Sequence, residues 1–167
     1  TEDGVNGDHE AVMYHGMIRG IVNGGPLDRN CPNFHEYGTE RHLISPREFT
    51  RRLHSQLRRS RNDGFETLHI CGRSGYLLKA TLLSHGGYTV VIKATTAQKE
   101  QNLRREVDTY RRLRNLQGPP IPVCLGDFEP RITYWYHGQP MAYMMILSWS
   151  GTRIQNIINP QNSDLFH

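Results

Sequence analysis

The chain has 167 residues, 37% of them hydrophobic and 22% charged, and its 20 Lys and Arg against 16 Asp and Glu give a formal net charge of +4. That length supports one sizeable core, or one core with a satellite. A mean hydropathy of −0.62, with no apolar run near the ~18 residues of a membrane-spanning helix, argues against a membrane partner.

Residues 1–11 are polar and acidic and read as a frayed tail with no signal peptide. Residues 12–62 read as an N-terminal extension. Its first part is loop-rich, with Gly20, Gly24, Gly25, Pro26 and Pro32. His15, Cys31, His35 and His42 in this stretch carry chemistry that zinc accepts. There is no Cys-x-x-Cys pair and only one thiolate, unlike the usual structural zinc sets. The simpler reading makes Cys31 a small buried hydrophobe and the histidines surface groups, so no metal site is assigned. Asp28 and Asn33 read as turn-fixing side chains.

Ser45-Pro46-Arg47-Glu48 is a capping box with proline at the first helical position. It predicts a helix over 45–60 with Phe49, Leu53 and Leu57 inward. Arg51, Arg52, Arg58, Arg59 and Arg61 fall largely outward. They read either as a solvated face or as a phosphate-binding surface for nucleic acid. The absence of interleaved aromatics favours the former.

Strand signals follow from residue 63. Phe65 to Cys71 alternates, Gly72-Arg73-Ser74-Gly75-Tyr76 is a glycine turn, and Leu77 to Leu83 is a second strand. Lys79 alternates with Leu78 and Ala80 there, so its expected fate is solvent. Ser84-His85-Gly86-Gly87 turns into the apolar strand Gly87 to Ala94, which carries Lys93. Ile121 to Phe128, Ile132 to Tyr136 and Met141 to Trp149 complete the set, with a turn at His137-Gly138-Gln139-Pro140. Tyr134-Trp135-Tyr136 could hold a sugar or base, but reads more simply as half a hairpin with one ring inward and alternate rings at the rim. Met141, Met144 and Met145 are gap-filling candidates for the core.

Between the third and fourth strands, Ala97 to Leu116 is predicted as a helix. Leu103, Val107, Tyr110, Leu113 and Leu116 trace one face at about 100° per residue. Thr95 or Thr96 would cap it, and Gly118-Pro119-Pro120 would stop it. Glu106 projects into the apolar stripe, between Tyr110 and Leu113. It reads either as the partner of a buried cation or as a stripe-edge acid paired with Arg105 or Arg114. A buried lysine and a buried glutamate are each costly alone and tolerable together, which singles out Lys93 and Glu106.

The element order, strand, glycine turn, strand, strand with lysine, helix with glutamate, then further strands, resembles the small lobe of a protein kinase. Val91-Ile92-Lys93-Ala94 is similar to the kinase Val-Ala-Ile-Lys strand, and Glu106 to the helix glutamate that pairs with its lysine. Gly72-Arg73-Ser74-Gly75 looks like a shortened phosphate loop. Met144 to Trp149 looks like the strand that runs into the hinge. Leu27-Asp28-Arg29-Asn30-Cys31-Pro32-Asn33 and Met144-Met145-Ile146-Leu147-Ser148 also resemble a little-characterised group of fungal kinase-like proteins. The kinase resemblance covers about 65–155, and the group resemblance reaches back to roughly 15.

The resemblance implies an α+β fold over 63–155: a five-stranded antiparallel sheet with one helix of the αC type, preceded by the loop-rich extension and its amphipathic helix. It implies an ATP-binding lobe in which Lys93 contacts phosphates and Glu106 orients Lys93. Gly72, Arg73, Ser74 and Gly75 would cover the phosphates, and Met145, Leu147 and Ser148 would lie against the adenine. Magnesium would accompany the nucleotide. The loop has Ser74 where a kinase has its second glycine. The Lys93-to-Glu106 interval is short, and neither a His-Arg-Asp nor an Asp-Phe-Gly segment is present. The chain therefore reads as a piece of a longer protein, with 156–167 beginning a second lobe or a tail. Phosphoryl transfer is expected only with that lobe. Two other roles stay open: a pseudokinase-type module that binds a protein partner, and a basic domain that binds nucleic acid through Arg51, Arg52, Arg58 and Arg59. The three cysteines, Cys31, Cys71 and Cys124, are widely spaced and read as reduced thiols. That places the protein inside the cell, in cytoplasm or nucleus.

Overall fold

A computed structural model of the chain describes residues 20–22, 44–73, 75–84, 88–117 and 121–149. Ser74 and the zinc candidates His15, Cys31, His35 and His42 lie outside the described residues.

The first long helix, α1 (Pro46–Arg59), starts where its sequence dictates. The Ser45 hydroxyl accepts the Glu48 N–H at 3.1 Å, and Pro46 stands at the first turn, where its missing N–H costs nothing. The second half of the expected capping box is replaced: the Glu48 carboxylate bonds Arg51 and Arg52 at 2.6–2.8 Å. Phe49, Leu53 and Leu57 are fully buried, as their spacing predicts, and Gln56 is buried with them.

The strands are β1 (Phe65–Gly72), β2 (Gly75–Thr81), β3 (Thr89–Thr95), β4 (Cys124–Phe128), β5 (Tyr134–Tyr136), β6 (Gln139–Met141) and β7 (Tyr143–Ser148). Five form one antiparallel sheet in the order β1-β2-β3-β7-β4. The Ile132–Tyr136 segment does not join it. Its strand β5 pairs with β6 in a separate hairpin, and the expected Met141–Trp149 strand is divided at Ala142 between β6 and β7. Two rings of that hairpin, Tyr134 and Tyr136, point inward rather than one, and Trp135 is 58% exposed.

The second helix, α2 (Glu100–Arg112), is flanked by 3-10 turns at Ala97–Lys99 and Arg114–Leu116. Neither Thr95 nor Thr96 makes the expected side-chain cap: Lys99 stands at the helix start, and Thr95 is buried in β3. Leu116, expected on the apolar stripe, is 63% exposed. A 3-10 turn advances about 120° per residue instead of 100°, which swings it off the face.

The sheet has two covered faces. Period-2 alternation sends Leu78, Ala80, Val90, Ile92, Met144 and Ile146 to one side, into a core shared with Phe49, Leu53 and Leu57 of α1 and with Ile21. It sends Leu77, Val91, Met145 and Leu147 to the other, against Leu103, Val107 and Tyr110 of α2. The domain is thus helix, sheet, helix, with α1 and α2 on opposite faces. All three methionines, Met141, Met144 and Met145, are core residues.

Candidate functional site

Lys93 lies in the middle of β3, flanked by β2 on one side and β7 on the other. It pairs in register with Leu77 and with Met145. The pleat that buries Val91 against α2 directs Lys93 to the same side. Across that seam, α2 is held flat by Leu103, Val107 and Tyr110, all buried. Its Glu106 sits on the inner side one residue before Val107. The Lys93 Nζ donates to both carboxylate oxygens of Glu106, each at 2.8 Å. The side chains are 15% and 22% exposed, so the pair is screened from most water yet reachable from one side. Of the readings open to Glu106, the geometry brings together the one with Lys93.

The β1–β2 hairpin lies beside this pair. Gly72 faces Gly75 across the turn, and Arg73 between them is exposed. A Cβ placed on Gly75 would meet the Ala94 carbonyl oxygen at 2.5 Å and Lys93 Cγ at 3.4 Å. Only glycine allows the hairpin backbone to settle this closely over the lysine strand.

Met145 and Leu147 share the Lys93 face. Their backbone is occupied on both sides, because β7 pairs with β3 through Ser148 and with β4 through Leu147. The Ser148 N–H donates to the Val123 carbonyl, and its hydroxyl accepts the Val123 N–H at 3.0 Å. A ligand reaching this strand would meet the side chains of Met145 and Leu147. Ser148 is engaged by its neighbour in the sheet.

Lys79 departs from its expected solvent position. It is half-buried on the Lys93 face, with its ammonium 5.0 Å from the centre of the Trp149 ring. It shares the pleat face of Leu77, and the indole supplies the partner that a part-buried cation needs. Thr95, two residues beyond Lys93 on the same strand face, is fully buried, and its hydroxyl has no hydrogen-bond partner among the described residues.

Charges on the outer side of α2 fix its placement. Arg104 bonds Glu100 and Glu129 and lies over the Tyr143 ring, 4.2 Å from its centre. Asp127 accepts from the Tyr143 hydroxyl and from Arg111 at 2.7 Å. Burial, with the Asp127 hydrogen bond and charge adding to it, raises the Tyr143 phenol above its ordinary range. Asp127 therefore serves as an anchor between α2 and the sheet. Sequence reasoning missed this network, and its one legible signal was the i,i+4 spacing of Glu100 and Arg104.

Gln56 was also missed. Its amide NH2 donates to the carbonyls of Asp63 and Thr81 at 3.0 and 2.8 Å, and its carbonyl accepts the Leu83 N–H at 3.0 Å. One side chain thus ties α1 to both ends of the β1–β2 unit.

The arginines of α1 are on the opposite face of the sheet from Lys93. Arg51 and Arg52 are engaged with Glu48. Cys71 and Cys124 are free thiols. Burial pushes the Cys124 thiol up to about 12, so it is inert as a nucleophile. Among the described residues, no three His, Cys, Asp or Glu side chains are grouped to hold a metal ion. No described helix is long and apolar enough to cross a membrane.

Sheet, helix and hairpin together define an α+β domain with the small-lobe arrangement of a kinase-like protein. Among known proteins, the chain is similar to the meiotic driver SPOK2 of Podospora anserina (strain S / ATCC MYA-4624 / DSM 980 / FGSC 10383). It is 34% identical over 153 residues, which take in 87% of this chain and 20% of that protein. The chain thus spans about one fifth of the length of this curated fungal relative. No family model matches the sequence, and no solved structure matches it.

Proposed function

We propose that the chain is the nucleotide-binding small lobe of a kinase-like protein. The observation that carries this reading is the Lys93–Glu106 pair, bonded through both carboxylate oxygens at 2.8 Å across the sheet–helix seam. Lys93 is the phosphate contact. Glu106 holds its ammonium at one height above the sheet, where a lone lysine would sweep several rotamers. Gly75 packs so closely on β3 that a Cβ there would meet the Ala94 carbonyl oxygen at 2.5 Å and Lys93 Cγ at 3.4 Å, which keeps the Gly72–Gly75 turn next to the lysine strand. The side chains of Val91, Met145 and Leu147 offer an apolar wall for the base. An ATP polyphosphate fits a cation and a glycine hairpin set this way.

Magnesium, when bound, neutralises charge on the phosphates. By the kinase resemblance, its ligands and the catalytic carboxylates would come from a second lobe. Phosphoryl transfer is accordingly a property of the longer protein.

Thermal-shift titration with magnesium-ATP tests the reading on the chain itself. The wild type is expected to gain several degrees at millimolar nucleotide, while Lys93→Met and Glu106→Gln gain little. Equal shifts in all three reject Lys93 as a phosphate contact. They would favour the alternative in which the fold serves only as a scaffold for a protein partner.

A further inference from the structure

The edge of the main sheet is broken close to the glycine turn. β1 is the outermost strand and pairs with β2. Their register runs from Phe65↔Ala80 to Thr67↔Leu78, then resumes at Cys71↔Tyr76 and Gly72↔Gly75. Between those stretches β1 has Leu68, His69 and Ile70 where β2 has Leu77 alone. A bulge of this kind interrupts the ladder and bends its strand. At its centre His69 has φ 53°, a left-handed conformation that a residue with a bulky side chain keeps only where its surroundings hold it. The β1 arm of the glycine turn lies just beyond this break.

A residue from a distant part of the chain fills the gap. Tyr136, on β5, is almost fully buried. Its hydroxyl donates to the Leu77 carbonyl and accepts the His69 N–H, each at 3.1 Å. One phenol thus bridges the two strands where their own pairing lapses. A hydroxyl can serve both groups because it donates and accepts at once. Neighbouring rings set its approach. Tyr136 lies against Tyr76 with centroids 5.0 Å apart, and His137 stands 5.8 Å from the Tyr76 ring and 5.9 Å from the His69 ring. The Thr67 hydroxyl, 3.2 Å from His69 Nε2, steadies the bulged residue from its own strand.

Both bridged strands frame the nucleotide site. Leu77 stands opposite Lys93 in register, and Gly75, two residues before it, packs on Ala94. The turn is therefore fixed along β2 by close packing on β3, and along β1 by the phenol. Tyr136 reaches the hairpin from the α1 side, where it and Tyr76 join the core.

We infer that Tyr136 is a positioning residue for the phosphates of the nucleotide: its hydroxyl holds the Gly72–Gly75 turn in place from the side of the sheet opposite Glu106. This role rests on the nucleotide-binding reading above. It concerns the polyphosphate rather than the base, because the turn flanks Lys93 while Val91, Met145 and Leu147 face the base. A turn without the bridge spends part of its time displaced, and apparent affinity falls with the fraction that remains competent.

Tyr136→Phe removes the hydroxyl and keeps the ring. In NMR titrations of the whole chain, it is expected to weaken magnesium-ATP binding about fivefold or more and to change adenosine binding less than about twofold. In the free protein, amide hydrogen exchange at His69, Gly72 and Gly75 should quicken about tenfold or more, while the amides of β3 and β7 keep their wild-type rates and report an intact fold. Lys93→Met, which should also weaken magnesium-ATP, is the reference. A Tyr136→Phe chain that binds magnesium-ATP like the wild type, while Lys93→Met does not, would overturn the role of Tyr136 alone. Equal losses for magnesium-ATP and adenosine, or faster exchange throughout β3 and β7, would reduce the hydroxyl to general stability and overturn it too. A wild type indifferent to magnesium-ATP, with Lys93→Met no different, would instead remove the nucleotide reading and this role with it.

Discussion

The two faces of one sheet are built on different terms. Toward α1, the inward side chains of β2, β3 and β7 are apolar apart from Ser148, whose hydroxyl accepts the Val123 N–H, and the buried Gln56 has its amide and carbonyl satisfied by three backbone groups. Toward α2, the strands place the Lys93 ammonium and the Thr95 hydroxyl, which has no partner among the described residues, on the side of Leu77, Val91 and Met145, and the helix brings the Glu106 carboxylate to meet the ammonium. A face that serves only stability minimises such groups, because each charged or unpaired polar atom taken from water carries a penalty. The face that retains them is the one to examine for function, and the other is where stability is concentrated.

The contrast is most easily broken at its apolar side. Leu53→Ala removes a fully buried side chain facing Leu78 and Ile92. It should lower unfolding free energy in denaturant titrations by about 2–5 kcal/mol, without changing the nucleotide-dependent part of a thermal shift. A loss under 1 kcal/mol would mean that α1 is not an integral layer.

Gln56→Ala should follow, at about 1–3 kcal/mol, since it strands the Asp63 and Thr81 carbonyls and the Leu83 N–H. Gly64 packs against this amide with φ near +81°, and a Cβ there would meet Gln56 Nε2 at 2.5 Å. Gly64→Ala should therefore be destabilising as well, through both strain and displacement of the clamp.

On the α2 face, Lys93→Met or Glu106→Gln alone should cost about 1–3 kcal/mol, less than a fully buried pair because both side chains retain some exposure. The double variant Lys93→Met/Glu106→Leu should recover much of that loss while abolishing the nucleotide response. A double-mutant cycle with no coupling would remove the physical basis of the site. Thr95→Val should be neutral or stabilising by up to about 1 kcal/mol, as it removes a buried hydroxyl that finds no partner among the described residues.

The smallest effect concerns Glu48. Hydrogen bonds from Arg51 and Arg52 hold its carboxyl at about 2, below the ordinary 4.5. A depressed carboxyl contributes stability that is complete above its unfolded value and lost as pH falls through its folded one. The melting-temperature difference between wild type and Glu48→Gln should therefore be constant above about pH 5 and fade between about 4.5 and 2. Exposure and salt keep it small. A difference that persists unchanged below pH 2 would contradict the linkage.

Much of this was already determined by the order of residues. The Ser45 cap with Pro46, the four-residue spacing of Phe49, Leu53 and Leu57, and the apolar run ending at Lys93 specify their elements locally. Each needs only side-chain periodicity and a few backbone groups within reach. The meeting of Lys93 with Glu106 could be argued from sequence as well, because burial makes each a liability without the other. What residue order could not decide was which distant segments would share a surface. Nothing local tells Lys79 that Trp149 will cover it, sends the Ile132–Tyr136 strand out of the main sheet, or brings the Arg131 N–H onto His54 of α1. Nor does it tell Gln56 that three carbonyl and amide groups from separate segments will need it. Those outcomes depend on long-range closure of the sheet, where the competing partners of a polar group are compared across the whole fold.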